Sequence, residues 1–517
     1  MSVVNAVAAT GGKSGDHRIA YLRKGRLESL TLAQLDALAA RLAHDLRRAG
    51  FERGDRVGVL ARNGIEWVLL DLAAIKAGLV TAGFEFGKFK EPGGLVEKYR
   101  LKGMFSDVGF HHPSVTDLRP LVDEVLARGP GEFGPGAFGG AIDEPVRYGP
   151  KDCTTIKFTS GSTGEPKGLA ATVGSIDASL AAVQALFGHG PGDDVLVFLP
   201  LSLLQQRYWI YSALAHRHDV TVVPYEFALD VAAKVQPTVV MGVPGFFESI
   251  KKHLERSGDL VPGDAVRRRE RIEALLGARI RYLWTGSAPA SRDMLDFFDG
   301  CGIPIFEGYG MNETCIVTKN HPGHNRIGSV GRLLPGKKAR IDGDGVLIIG
   351  SDHPVNVAYE YCAPGDNERI FLTGGEVRTG DLARFDEDGY LYILGRADDL
   401  VVLGNGKNVY VRKIEERVRR HAAVEECVLF GSGEPYLVAV VSPAEAPVGP
   451  AQRDAIAAHV DAVNATLPRD ERIVKIFIAP EPFSIEGGLL TSQFKPKRKE
   501  IFKAFGREIA QLYGVPA

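Results

Sequence analysis

At 517 residues, 45% of them hydrophobic and 24% charged, and with a formal net charge of -2, the chain is too long for one hydrophobic core and reads as a multidomain globular protein. The near-neutral balance excludes a general nucleic-acid or membrane-surface binder, which needs clustered positive charge. Five scattered cysteines (Cys153, Cys301, Cys315, Cys362, Cys427), with no CxxC pair, predict reduced thiols in a cytoplasmic protein and no zinc site or disulfide frame.

The first residues, MSVVNAVAATGGKSGDHR, lack the shape of a signal peptide. A helix is predicted over 31–50: Thr31 can cap it, Leu35, Leu38, Leu42 and Leu46 line one face, and Gly50 can close it. RVGVLA (56–61) reads as a strand and 66–77 as a second helix. The apolar stretch around 67–84 is interrupted by Asp71 and Lys76, which argues against a membrane span. The Gly/Pro-rich segment 129–141 reads as an irregular connection. Short apolar strands follow at 194–200, 219–224, 238–244 and 279–286, with helical stretches between them. This alternation predicts an α/β fold with a largely parallel sheet covered by helices on both faces. The Arg-rich run at 267–271 reads as a solvated helix face.

Beyond Ser329 the pattern changes to short β segments with turns, a β-rich subdomain. From about 399 it becomes a compact α+β tail with a helix at 411–424, strands at 426–431, 436–443 and 473–480, and a helix near 453–466. The domain boundary is placed at Asp398, giving 1–397 and 398–517.

The densest chemistry lies in TTIKFTSGSTGEPKG, residues 154–168. An alternating apolar lead-in reads as a strand. Glycines then let several backbone N–H groups aim at one anion, hydroxyls add donors, and a lysine adds a point charge suited to phosphate. The spacing is not GxxxxGK[ST], so this is a different phosphate grip from the Walker A loop.

With four further segments in order, GSAPAS (286–291), EGYGMNET (307–314), RTGDLARFDEDGYLYILGRADD (378–399) and GLLTSQFKPKRK (488–499), the chain resembles the adenylate-forming superfamily of acyl-CoA synthetases, adenylation domains and luciferases. The resemblance implies that a carboxylate attacks the α-phosphorus of ATP, giving an acyl-adenylate and pyrophosphate. It also implies a large N-terminal AMP-binding domain and a small mobile C-terminal domain. Both reactants are anions, so charge neutralisation and in-line positioning dominate the demand on the site.

By that resemblance Thr159, Ser160, Gly161, Ser162, Thr163, Gly164 and Lys167 hold the β- and γ-phosphates, and Glu313 binds a Mg2+ ion. Asn312 stands where many relatives have threonine and can donate to the α-phosphate. Tyr309 offers adenine a ring face or else packs in the core, and Gly310 and Met311 belong to the same nucleotide-binding set. Gly286, Ser287 and Ala288 form the wall beside it. Asp381 would take the ribose hydroxyls, with Arg396 approaching from the other side. Lys495, followed three residues later by Arg498, is the implied catalytic lysine, although Lys497, Arg498 and Lys499 make the tail basic as a whole.

The resemblance further implies a hinge at Asp398 between adenylation and thioester formation. Gly404 and Gly406 would let the pantetheine thiol of coenzyme A pass, or else form a plain glycine turn; Val411 replaces a proline often found there. Segments 199–209 and 235–250 most resemble the long-chain fatty acyl branch, with Leu203 where relatives often carry histidine. Leu203, Leu204, Trp209, Phe246 and Phe247 either line an apolar acid pocket or belong to the core. The unusual segment 77–94 suggests a bulky acid of specialised metabolism. An alternative acceptor is the pantetheine of a carrier protein or a partner enzyme.

Overall fold

The structure is a computed structural model and describes residues 2–9, 16–86, 89, 92–108, 112–128, 145–160, 166–258, 263–484, 487–490 and 496–514. The connection at 129–141, the loop 161–165 and Lys495 therefore lie outside the described residues, as do the side chains of Thr159, Ser160 and Asp398.

Two compact units are present. The first comprises Met1–Arg340, Ile348–Thr379 and Phe385–Tyr392, and the second Ile341–Leu347, Gly380–Arg384 and Ile393–Ala517. Among the described residues, the first unit carries a six-stranded and a nine-stranded sheet. The six-stranded sheet has the order Val115–Asp117, Gly103–Ser106, Arg56–Leu60, Val80–Gly83, Cys153–Ser160, Pro166–Thr172. All its neighbours are parallel except the last pair, a hairpin. The nine-stranded sheet has a parallel centre in which Tyr282–Thr285 lies between Val239–Gly242 and Ile305–Met311.

The central strands are apolar on both faces because both faces are covered. Val195 and Val197 face one core cluster with Met241 and Trp284. Leu196 and Phe198 face the other, with Val240 and Leu283. The period of two along a strand is what divides them.

The expected first helix is Leu32–Arg48, capped by Thr31 in a reciprocal box with Gln34, an arrangement that contributes about 1 kcal/mol. The second helix, Ile65–Ala77, is buried almost all round, so the apolar run near Trp67 is an interior helix. Among the described residues, no helix is long and apolar enough to cross a membrane. The Arg-rich run lies on helix Ala265–Leu276, where Arg269 pairs with Glu273 at 2.7 Å.

One buried ion pair ties the six-stranded sheet to helix Leu204–His216. Arg207 donates to Asp71 Oδ1 at 2.7 Å and to Thr155 at 2.9 Å, while Tyr211 donates to Asp71 Oδ2 at 2.5 Å. Removing either partner would leave the other charge buried and unpaired, at a cost of about 3–5 kcal/mol.

The second unit contains the hairpin Leu400–Val402/Asn408–Tyr410 and a three-stranded sheet of Val424–Phe430, Leu437–Pro443 and Ile473–Ile478. Helices Val411–Val418 and Pro450–Asn464 pack against that sheet. Two further short helices, Arg498–Ala504 and Gly506–Leu512, which the sequence pattern did not reveal, follow. Lys337–Ile341, Val346–Ser351, Val377–Phe385 and Leu391–Arg396 are the short β segments expected beyond Ser329, and the division between the two units falls within each of them.

Candidate nucleotide-activating site

The strand pair Cys153–Ser160/Pro166–Thr172 is in register through Thr159 opposite Lys167 and Ser160 opposite Pro166. The ends of the glycine-rich loop are therefore pinned side by side, and the strand that follows it carries Lys167. Its ammonium lies 2.8 Å from Asp366 Oδ2 and 5.1 Å from the ring centre of Tyr359. Asp366 is buried at 3% exposure, and the Lys167 ammonium holds its carboxyl below the usual carboxylate range.

Tyr359 donates its hydroxyl to Glu313 Oε1 at 2.7 Å. Burial, and then the neighbouring Glu313 carboxylate, push that phenol far above its ordinary value, so it stays a donor. Lys167 and Glu313, far apart in sequence, are thus joined through one tyrosine.

Glu313 sits in the turn between Ile305–Met311 and Cys315–Lys319, antiparallel strands with a register shift at Tyr309/Gly310. Gly310 is required there, since a Cβ would collide with the Cys315 carbonyl. Thr314 closes the turn, its hydroxyl accepting from the Met311 N–H at 3.2 Å. Lys157, buried at 5% exposure, donates to the Asn312 carbonyl, and Lys337 donates to the Thr314 carbonyl at 2.9 Å. Hydrogen bonds from charged donors are worth about 1.5–3 kcal/mol each. Burial pushes both ammoniums below their ordinary values. Burial would push the Cys315 thiol up, but Lys157, the Tyr208 hydroxyl 3.3 Å away and Lys337 bring it below the usual thiol range.

The wall segment GSAPAS follows strand Tyr282–Thr285, which runs parallel to Ile305–Met311. Gly286 and Gly308 are so close that a Cβ on Gly286 would come within 3.1 Å of the Gly308 carbonyl. Ser287 and Ala288 are exposed, and Ser287 takes φ 69°, an uncommon conformation for a side-chain-bearing residue. The predicted wall and Tyr309, Gly310 and Met311 are therefore at neighbouring C-terminal strand ends, where open parallel sheets hold ligands. Tyr309 is half-buried. Farther along the same strand pair, Lys319 is buried with its ammonium on the Phe306 carbonyl at 2.7 Å and 3.6 Å from the Trp284 ring centre. Burial pushes nearby Glu307 up to about 7.

In the second unit Arg396 donates to Asp381 Oδ1 at 3.0 Å, joining the two predicted ribose residues. Asp381 is 9% exposed whereas the Arg396 side chain is 48% exposed. Asp398 lies in a short turn, Ala397–Asp399. Gly404 donates to the Glu434 carbonyl at 2.8 Å, and a Cβ there would stand 2.9 Å from the Gly433 carbonyl; Gly406 takes φ 79° in the hairpin turn. Val411 is fully buried at the start of helix Val411–Val418. Arg498 reaches the buried Glu415 at 2.7 Å and Asp399 at 3.5 Å, so it is not a free solvated cation.

The proposed acid-pocket residues are not all brought together. Leu203 is exposed, whereas Leu204 and Trp209 belong to the core cluster on one face of the nine-stranded sheet. Phe246 and Phe247 belong to the cluster on the other face, where Phe246 lies 4.5 Å from Phe198. Among the described residues, no group of three or more His, Cys, Asp or Glu side chains could hold an ion. Glu313 offers one hard carboxylate, a donor set that fits Mg2+ shared with phosphate oxygens.

Sequence reasoning did not single out Tyr359, Asp366, Lys157 or Lys337. For Lys157 the signal was present: a lysine between Ile156 and Phe158 in a strand otherwise patterned for burial.

The AMP-binding enzyme profile matches residues 8–87 and 101–348, and that of the AMP-binding enzyme C-terminal domain matches 398–515. The chain belongs to the AMP-binding enzyme family. It is 28% identical to long-chain-fatty-acid–CoA ligase FadD15 of Mycobacterium bovis, over 92% of each protein. It is 27% identical to 2-succinylbenzoate–CoA ligase of Bacillus cereus, over 78% of this chain and 80% of that protein. Its fold is similar to that of O-succinylbenzoate coenzyme A synthetase from Bacillus subtilis in complex with ATP and magnesium ion, with a TM-score of 0.74, 22% identity and coverage of 96% of this chain and 98% of that one.

Proposed function

We propose that this AMP-binding enzyme is an acyl-CoA synthetase, activating a lipophilic carboxylic acid with ATP and passing the acyl group to coenzyme A. The observation that carries the reading is the junction of Lys167, Tyr359 and Glu313 beside the strand ends bearing Gly286 and Tyr309. A cation suited to phosphate, a carboxylate suited to magnesium and a glycine-bearing wall in one unit support this reading.

In the first half-reaction a carboxylate oxygen bonds to the α-phosphorus as the bond to the pyrophosphate oxygen breaks. Lys167 and the loop hydroxyls hold the departing anion, and Asn312 donates to the α-phosphate. Bound magnesium would spread the charge of the phosphate oxygens at Glu313. Lys495 stabilises charge where it develops on the carboxylate and α-phosphate. In the second half-reaction the thiol sulfur bonds to the acyl carbon, its proton is lost, and AMP leaves. The boundary and hinge at Asp398 and the approach of the thiol past Gly404 and Gly406 belong to this proposal. So do the Asp381–Arg396 ribose contact and a cytoplasmic setting, for which the five free cysteines speak.

The likeness to a protein named a long-chain-fatty-acid–CoA ligase supports a lipophilic acid. With Leu204 and Phe246 on opposite sheet faces, the acid-contacting set is narrowed to residues near Leu203 and Phe246. The test is ATP–pyrophosphate exchange with a panel of fatty, branched and polycyclic acids, followed by thioester detection with coenzyme A. Exchange with a lipophilic acid and a coenzyme A thioester is the expected result. Exchange without thioester would overturn the second half, and no exchange with any acid would overturn the first.

A further inference from the structure

The geometry points to Lys157 and Lys337 as positioning residues that hold the Glu313 carboxylate for magnesium, by gripping the main-chain carbonyls on either side of it. This rests on the reading of Glu313 as the magnesium carboxylate and adds to it the device that fixes its direction.

Asn312 and Thr314 flank Glu313, and each presents its carbonyl to a different ammonium, Lys157 from strand Cys153–Ser160 and Lys337 from strand Lys337–Ile341. The two lysines come from segments 180 residues apart in number, so only tertiary folding supplies both. An ammonium donates and never accepts, and a peptide carbonyl accepts. Each contact therefore holds the peptide plane it touches, and the two planes, 312–313 and 314–315, bracket Glu313 and Thr314 and restrict the backbone of that two-residue stretch. Tyr359 holds the third point, the carboxylate itself, at 2.7 Å.

Glu313, Thr314, Lys337, Pro354, Val355 and Asn356 line a narrow crevice with room for no more than about one water molecule. Both polar atoms of the Asn356 amide are buried there without a partner among the described residues. Beside that crevice Lys157, Lys337 and Tyr359 reach the turn from three directions in the sequence.

Placing an ammonium in the interior is costly, and Lys157 lies at 5% exposure with its charge disfavoured by burial. A structural anchor for a carbonyl could be a neutral donor. A cation does a second thing, because it offsets the negative field of Glu313 and of the phosphates that approach it. The balance matters: the positive charges face the backbone, and Glu313 keeps its carboxylate for the ion.

The test measures ATP affinity by calorimetry on the full-length protein, once with magnesium and once with EDTA, for wild type, E313Q, K157M, K157R and K337M. The quantity read is the factor by which magnesium tightens ATP binding. Disturbing groups that orient a metal ligand typically costs about 10–100-fold in metal affinity. K157M and K337M should lose about 10-fold or more of that factor, K157R should keep most of it, and melting temperatures should establish that each variant is folded. If K157M does not fold, K337M, whose lysine is less buried, decides the matter alone.

Equal weakening of ATP binding with and without magnesium would mean that only a positive charge was lost, and would overturn the inference. So would an unchanged magnesium factor in the lysine variants while E313Q loses it. If E313Q itself matches wild type, the magnesium role of Glu313 falls and the positioning role falls with it.

Discussion

The Glu313 turn and the Asp381–Arg396 pair are both charged, both assigned to nucleotide chemistry and built in opposite ways. The turn is held at three points by Lys157, Lys337 and Tyr359, with Glu313 itself at 7% exposure. The pair relies on a hydrogen bond of 3.0 Å to an arginine whose side chain is 48% exposed. An ion pair so open to solvent is worth at most about 1 kcal/mol. A group that must meet a metal ion in a fixed direction benefits from rigidity, because misplacement costs rate. A pair that precedes the proposed hinge and need only meet sugar hydroxyls can stand open to solvent. The difference in construction follows the difference in task.

The largest expected effect is on the mobile side. K495A should lower ATP–pyrophosphate exchange by about 100–1,000-fold, the usual cost of losing one preorganised stabilising donor, while calorimetric ATP affinity stays within a few-fold. Surviving exchange would move the catalytic lysine elsewhere in the tail. On the rigid side, E313Q should reduce exchange by about 10–100-fold and flatten its dependence on magnesium concentration. An unchanged magnesium dependence would break the comparison at its centre. Y359F removes only the third hold on Glu313 and should cost about 3–10-fold in exchange, of the order of the net contribution of one ordinary intramolecular hydrogen bond. Loss as large as in E313Q would mean that Tyr359 does more than orient.

A buried carboxyl outside the site supplies the smallest effect on activity and sharpens what burial alone does. Asp194, on strand Asp194–Val197, accepts from Thr221 at 3.1 Å, and burial pushes its carboxyl from 3.8 to about 7. As pH rises through about 4 the unfolded chain releases this proton, while the folded chain keeps it until about 7. Stability therefore falls across that window, by up to roughly 4 kcal/mol. D194N should melt higher than wild type near pH 8, converge with it near pH 4, and leave exchange unchanged. A D194N protein that also loses magnesium dependence would show that core burial, not the turn's anchors, sets the site.

Much of this was legible in the chain itself. The strand leading into the glycine-rich loop, the first two helices and the alternating architecture follow from periodicity, and periodicity acts over neighbouring residues. The motifs that carry Glu313, Asp381 and Lys495 can be read as local strings, and the roles given to these residues are proposals. Leu204 and Phe246 show the limit: both are apolar and both look like pocket residues, but alternation along one strand sends their clusters to opposite faces of the sheet. Val240 and Met241, adjacent in sequence, make the same division.

By itself the sequence determined the class of fold, the family and the chemical types needed to handle a nucleotide, because each is written in short-range pattern. Only the tertiary structure decided how those types are held. Lys157 and Lys337 meet the same turn, and Tyr359 links Lys167 to Glu313, because segments distant in sequence are folded against one another. A lysine in an apolar strand looks like a flaw until the carbonyl it serves is folded against it. The physical reason is that a buried charge is tolerable only with its partner present, and that partner is chosen by packing rather than by sequence neighbourhood.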